Sequence, residues 1–225
     1  MSLSGGRGGA VAQLDALGLI GDVHAEDELF EAALVFLRAR GADLILVCGD
    51  VVDGSGDAGR CCELLAGEDV LAVRGNHDRW FLEGRMRDLP DATPAGALDE
   101  AAMGALERLP VEIALQTVAG PLLLCHGIGA DDMATLRPDD CGYALETNTA
   151  LQAMIAAGTY RLMVAGHSHE RMVRTLGGLT VINPGTLLRY HRPSAAELDL
   201  ERREVRFHDL AEGEPRLVET LGLDL

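Results

Sequence analysis

The sequence predicts an α/β fold built on a parallel sheet with helices over its faces, and three features point to it. Leu44 to Cys48 is an unbroken apolar run that stops at Gly49 and Asp50, which reads as a short strand buried on both faces. A second apolar run, Leu14 to Ile20, is separated from it by a stretch of helical spacing, and strand, helix, strand in that order implies a right-handed crossover and a parallel pair. Three successive apolar runs also end in a glycine followed by a polar cluster, at Gly21-Asp22, Gly49-Asp50 and Gly75-Asn76. Sites of open α/β sheets lie at the carboxyl ends of their strands. A lone charged Asp50 in the mouth of such a sheet would cost several kcal/mol, so it needs a cation or strong hydrogen bonds. For any single Gly-Asp pair a turn or a helix cap is the competing account.

Taken in order, Leu14 to Ile20 breaks at Gly21-Asp22-Val23-His24. Glu26 to Arg40 then carries Leu29, Ala32, Ala33, Phe36 and Leu37 at helical spacing, with acids early, Arg38 and Arg40 late, and Gly41 as the stop. After the Leu44 strand, Cys61 to Ala66 reads as a short helix and Asp69 to Val73 as a strand ending in Gly75-Asn76-His77-Asp78. Trp80 to Gly96, with two prolines and mixed charges, is the least regular stretch and reads as a surface excursion able to overhang a site. Asp99 to Leu109 is an amphipathic helix closed by Pro110. Val111 to Val118 and Leu122 to Cys125 flank a Gly-Pro turn and read as a hairpin whose second arm ends in His126-Gly127. Thr147 to Ala157 is a helix, Arg161 to Ala165 a strand ending in Gly166-His167-Ser168-His169, and Leu179 to Ile182 a strand ending in Asn183-Pro184-Gly185. Two short strands, Ala196 to Leu200 and Glu204 to His208, close the tail.

The length of 225 residues suits one domain, here residues 14–225 after a small-residue, flexible start at 1–13. With 19 Lys and Arg against 36 Asp and Glu the formal charge is -17, which repels polyanions and makes nucleic acid or an acidic membrane a poor partner. The cysteines (Cys48, Cys61, Cys62, Cys125, Cys141) are odd in number and show no CxxC spacing, so neither a disulfide framework nor a thiolate zinc site is signalled. No apolar stretch of signal-peptide or membrane-spanning length occurs, and the cytoplasm is the expected address.

Collected in order, the polar strand ends are Asp22 and His24, Asp50 and Asp53, Asn76, His77 and Asp78, His126, and His167 and His169. Hard oxygens and imidazoles without thiolate suit Mn, Fe, Zn or Ni. An Asp-x-His or His-x-His pair can turn both side chains to one side only where the backbone bends, which the adjacent glycines permit.

The run Gly-Asp-Val-His, Gly-Asp-Val-Val-Asp, Gly-Asn-His-Asp, His-Gly and Gly-His-Ser-His, spread from Leu19 to Gly185, resembles the calcineurin-like metallophosphoesterase superfamily, and within it the small bacterial and archaeal phosphodiesterase branch. The resemblance implies a four-layer αββα sandwich of two mixed sheets flanked by helices. It further implies two divalent transition-metal ions, manganese foremost with iron, zinc or nickel as alternatives. Asp22, His24 and His169 would bind one ion and Asn76, His126 and His167 the other, with Asp50 bridging. The implied activity is hydrolysis of a small phosphate ester, a diester or a monoester, by in-line attack of a metal-bridging hydroxide. His77 would act beside the ions as proton donor, oriented by Asp53, with Asp78 as the alternative orienting carboxylate.

Two departures bear on substrate. Protein Ser/Thr phosphatases with this signature continue the second motif with Arg-Gly, whereas this chain has Gly54, and the first motif has Ala25 where glycine is usual. Asp131, Asp132 and Arg137 follow His126 in a loop that reads either as substrate-facing or as a solvated turn. A catalytically silent interaction scaffold is the competing class of function, and a nuclease is disfavoured by the charge balance.

Overall fold

In the computed structural model, which describes residues 14–211 and 214–225, two sheets are stacked face to face with helices outside each. The flexible start expected at 1–13 lies outside the described residues. The first sheet contains β1 (Ala16–Ile20), β2 (Leu44–Val47), β3 (Val70–Ala72), β9 (Ser194–Asp199), β10 (Glu204–Asp209) and β11 (Arg216–Gly222), in the order β11-β10-β9-β1-β2-β3. The second contains β4 (Glu112–Thr117), β5 (Gly120–Cys125), β6 (Leu162–Val164), β7 (Met172–Leu176) and β8 (Leu179–Asn183), in the order β4-β5-β6-β8-β7. Both sheets are mixed. The β1–β2, β2–β3 and β5–β6 pairs are parallel through crossover helices, β6–β8 is parallel with β7 in the connection, and β1–β9 and β4–β5 are antiparallel.

The unbroken apolar runs follow from this layering, because side chains of alternating direction are buried on both sides. Ile45 and Val47 face helices α1 (Asp27–Ala39), α2 (Ala58–Leu64) and α4 (Glu100–Glu107), whereas Leu46 and Cys48 face the second sheet. Leu122 and Leu124 meet them there with Val164 and Ile182. Leu123, Cys125 and Val181 point outward under α6 (Thr149–Ala157). Three apolar layers therefore separate four layers of structure, the arrangement the resemblance implied.

Several details differ from the sequence reading. The buried stripe of α1 is Phe30, Ala33, Leu34 and Leu37, rotated from the expected one, with Ala32 exposed. The excursion begins later than expected, because Asn76–Leu82 is a helix, α3, that carries Trp80 and Phe81. The helix expected from Thr147 starts at Thr149 as α6, since the Asn148 side chain accepts from the Leu151 N–H and caps it, and a short helix, α5 (Tyr143–Thr147), that was not anticipated precedes it. Strands β7 and β11 were not anticipated. Both are sheet edges, where one face and one row of hydrogen-bonding groups need no apolar cover.

Candidate metal centre

Every strand end named above arrives at one rim of the sandwich, where the two sheets meet. The loops after β1 and β2 supply Asp22, His24, Asp50 and Asp53, α3 supplies Asn76 and His77, and the loops after β5 and β6 supply His126, His167 and His169. The tight bends fall on the functional residues themselves. His24, Asp50, Asp53, His167 and His169 all have φ between 46° and 65°, left-handed geometry that non-glycine residues rarely hold without compensation. The sequence reading placed that freedom in the flanking glycines, but two of these have another use. A Cβ at Gly166 would overlap the Asp22 carboxylate, and one at Gly54 would overlap the His24 carbonyl oxygen. Gly54 is therefore required by close packing, and a side chain as long as arginine does not fit there without moving the first loop.

The donor atoms fall into two groups that share one residue. Asp22, His24, Asp50 and His169 present atoms within 4.8 Å of one another, and so do Asp50, His126 and His167. Asn76 joins the second group, its Oδ1 lying 2.9 Å from His126 Nε2. Asp50 Oδ1 accepts the His77 N–H at 2.8 Å, which leaves Oδ2 between the groups, 3.8 Å from His24 Nε2 and 3.4 Å from His126 Nε2. Asp22 in turn accepts the His167 N–H at 3.0 Å, so a first-sheet carboxylate fixes a second-sheet loop.

The imidazole tautomers are set from behind. His24 Nδ1–H donates to the Asp53 carbonyl at 2.9 Å and His126 Nδ1–H to the Cys48 carbonyl at 2.8 Å, which leaves each Nε2 as a lone pair turned inward. His24 Nε2 lies 3.0 Å from His169 Nε2, and His126 Nε2 lies 3.3 Å from His167 Nδ1. Lone pairs and carboxylate oxygens converging at such distances need protons or a cation among them, and the imidazole and hard-oxygen donor set fits divalent transition metals.

The site's electrostatics differ among its ligands: burial disfavours charge on His126, but Asp50 and Asp22 outweigh it and raise its pKa. Burial opposes ionisation of Asp22, yet its hydrogen bond with His169 and the nearby His126 hold the carboxyl well below the usual range. Burial pushes His24 and His167 down, toward the neutral form that ligates metals. Burial and the charge of Asp50 push Asp78 up to about 6.

His77 stands beside the donors without joining either group. Its Nδ1–H donates to Asp53 Oδ2 at 2.9 Å, and its ring packs against His24 and Trp80, each at a centroid distance of 4.9 Å. Asp53, not Asp78, is thus its partner. Asp78 accepts the backbone N–H groups of Val51, Val52 and Gly75, tying the β2 loop to the start of α3. Nothing in the sequence signalled how Asp53 is held. Arg87, from the excursion, donates Nη1 to Oδ1 and Nη2 to Oδ2, both at 2.8 Å, and the Thr93 N–H donates to Oδ1 at 2.8 Å. The excursion is wired into the site, with Arg87 also lying over the Phe81 ring at 5.5 Å. The polar side chains of the loop after His126 are taken up within the protein: Asp132 pairs with Arg79, Arg137 with Glu170, and Asp131 accepts the Met133 and Ala134 N–H groups as a turn.

Residues 16–203 match the model of the calcineurin-like phosphoesterase superfamily domain. The phosphodiesterase MJ0936 of Methanocaldococcus jannaschii is 31% identical over 81 residues, 34% of this chain and 49% of that protein, so the match spans about half the length of the relative. Among solved structures, Yfce, a phosphoesterase from E. coli, superposes with a TM-score of 0.57 at 18% identity over 93% of this chain and 100% of that one. Vacuolar protein sorting 29 of Cryptosporidium parvum gives 0.57 at 19% identity over 93% and 99%. A family match over most of the chain, on a fold whose two sheets deliver these strand ends to one rim, means that the protein belongs to the calcineurin-like phosphoesterase superfamily.

Proposed function

We propose that the chain is a metal-dependent phosphoesterase of small phosphodiesters. It would hold one divalent cation with Asp22, His24 and His169 and a second with Asn76, His126 and His167, and Asp50 Oδ2 would be common to both. The observation that carries this reading is that the two donor groups meet at one carboxylate oxygen while His77, a member of neither, is fixed beside them by Asp53 and Arg87. A scaffold that only bound partners would have no use for that fixed imidazole. Manganese is the first candidate for both positions. Bound cations would supply Lewis acidity, activating water and neutralising phosphoryl charge.

His77 is held in place to act as the proton donor. Burial disfavours its imidazolium, but the hydrogen bond to Asp53 and the charge of Asp50 outweigh this and raise its pKa. With Nδ1–H committed to Asp53, Nε2 is the position from which a general acid would protonate a leaving oxygen.

Diesters are preferred over monoesters because four guanidinium groups carried by the helices and loops around the rim are already paired with carboxylates. Arg79 is bidentate to Asp132, Arg87 to Asp53, and Arg189 to Glu26, while Arg137 pairs with Glu170. A phosphomonoester brings close to two negative charges and calls for such donors, whereas a diester brings one. Packing at Gly54 also removes the arginine on which a protein Ser/Thr phosphatase would rely.

Among the described residues no helix is long and apolar enough to cross a membrane, and all five cysteines are free thiols, which fits a reducing cytoplasm. The named role of vacuolar protein sorting 29 motivates the alternative of an interaction scaffold. The test is kcat/KM for a nitrophenyl phosphodiester against the corresponding monoester under saturating Mn²⁺, with the diester expected to win. A monoester preference would overturn the substrate assignment. Two bound ions with no turnover of either ester would favour the scaffold.

A further inference from the structure

The loop after β8, residues 184–193, reaches all three residues of the first donor group that are its own. The Asp22 carbonyl accepts both the Leu187 N–H at 2.8 Å and the Thr186 Oγ1–H at 2.9 Å. The His191 ring stands edge-on to the His169 ring, with centroids 5.3 Å apart. His24 is reached through Glu26, two residues further along the chain. Glu26 Oε1 accepts the Arg189 backbone N–H at 3.0 Å, and Oε2 accepts its Nε–H at 2.8 Å. The Glu26 side chain has no accessible surface, so its charge is compensated by this arginine and not by water. Among the described residues no hydrogen bond or ion pair joins the same loop to Asn76, His126 or His167.

The turn that Glu26 closes is strained. His24 and Ala25 have φ of 48° and 53°, two consecutive left-handed residues, each with a Cβ that this region disfavours. Such geometry persists only where the surroundings over-determine it. The His24 and Ala25 N–H groups donate to the Asp50 and Val51 carbonyls at 2.7 and 2.9 Å, which fixes the turn to the β2 loop. Glu26 and Arg189 fix it to the loop after β8.

Resting on the two-ion reading above, we propose that Glu26 and Arg189 are a positioning pair for the first metal position. The pair keeps the left-handed turn at His24 and Ala25 closed and ties to it the loop that flanks His169. Asp22, His24 and His169 thereby hold their spacing before an ion enters, as outer partners of metal ligands do. Asn76, His126 and His167 owe nothing to this strap, so the two positions respond differently when it is broken.

Glu26 is the residue to replace, because removing Arg189 would leave a buried carboxylate without a partner. Glu26→Ala removes the strap, while Glu26→Gln keeps the volume and an acceptor and carries the same comparison if the alanine variant folds poorly. Arg38→Met, which breaks an exposed bidentate pair with Asp69 at the other end of α1, is the control. Mn²⁺ binding is followed by calorimetry on metal-free protein and by elemental analysis after desalting. Wild type and Arg38→Met should hold two ions. In Glu26→Ala the first position should weaken by about 10–100-fold, leaving one ion per chain after desalting, with a smaller loss in Glu26→Gln. The Co²⁺ absorption spectrum of that one-ion species should match the spectrum of His169→Ala and differ from that of Asn76→Ala. Adding Ala25→Gly to Glu26→Ala relieves the strain at the turn and should return the lost ion, a rescue that general loosening of the fold would not give. Two retained ions in both Glu26 variants, equal weakening of the two positions, or no recovery with Ala25→Gly would each overturn the positioning role and leave the two-ion reading intact. A wild-type protein that binds a single ion would overturn that reading itself, and the role of the pair with it.

Discussion

Replacing Arg87 with methionine keeps most of the side chain's volume and removes only its charge and donors. Two charge-assisted hydrogen bonds to Asp53, each 2.8 Å long, would be lost, together with one from Nε to the Arg85 carbonyl. Asp53 would keep His77 and the Thr93 N–H, so its carboxylate would not be orphaned. With bonds to charged groups worth about 1.5–3 kcal/mol each and the guanidinium partly exposed, the net stability loss should be about 2 kcal/mol, or roughly 4–8 °C in Tm for a chain of this size. The catalytic effect is bounded by that of His77→Asn, about 10²–10⁴-fold for a lost general acid, and should be about 10-fold because the imidazole remains but is less well oriented. The assay is kcat on methyl nitrophenyl phosphate and on methyl phenyl phosphate under saturating Mn²⁺. Nitrophenolate departs with little help from a proton, so the loss should be concentrated in the phenyl ester. Equal losses on both esters would show that Arg87 acts on the metal donors or the fold, and the argument for a positioning role would fail.

Three further outcomes follow from the same geometry. Asp50→Ala should lower the occupancy of both metal positions in elemental analysis after Mn²⁺ loading, and two tightly retained ions would refute the shared oxygen. Burial raises the pKa of Asp53, but the hydrogen bonds from His77 and Arg87 outweigh it and hold the carboxyl well below its ordinary value. A depressed carboxylate contributes stability that is present above its unfolded pKa of about 3.9 and lost below it. The Tm gap between metal-free wild type and Asp53→Asn should therefore narrow as pH falls from about 5 to about 3, and a gap that widens would reverse the assigned sign. Burial pushes the Cys62 and Cys125 thiols up to about 12, whereas Cys141 is exposed, so a thiol reagent at neutral pH should label Cys141 alone in the native protein. Rapid labelling of a second cysteine, located by peptide mapping, would contradict the buried placement.

The sequence made the interior and the donors legible for one reason: both are written in short local patterns. A strand buried on two faces must be apolar throughout, so Leu44 to Val47 announces itself, and a chain that returns five times to the same rim must repeat Gly-Asp or His-containing ends. What was not legible depends on distant partners. Arg87 sits in an irregular stretch and owes its place to Asp53, which precedes it by 34 residues. Glu26 has the look of an ordinary residue at a helix start, and only the fold shows that it is fully buried against Arg189. The edge strands β7 and β11 escaped because an edge residue such as Leu217 can be half exposed without cost, so no periodicity is imposed. Gly54 was read as an absent arginine, when its meaning is steric and local to the His24 carbonyl.

The first sheet sets an order of events during synthesis. β1 lies near its middle, yet its partner on one side, β9, begins only at Ser194, long after β2 and β3 have been made. A nascent chain that has already emerged through His169 carries every donor of the centre but still exposes one hydrogen-bonding edge of Ala16–Ile20, an apolar strand with strong pairing capacity. Until Ser194–Asp199 leaves the ribosome and closes that edge, the growing polypeptide is most exposed to intermolecular strand pairing, and the last third of translation is the interval in which a chaperone would matter most.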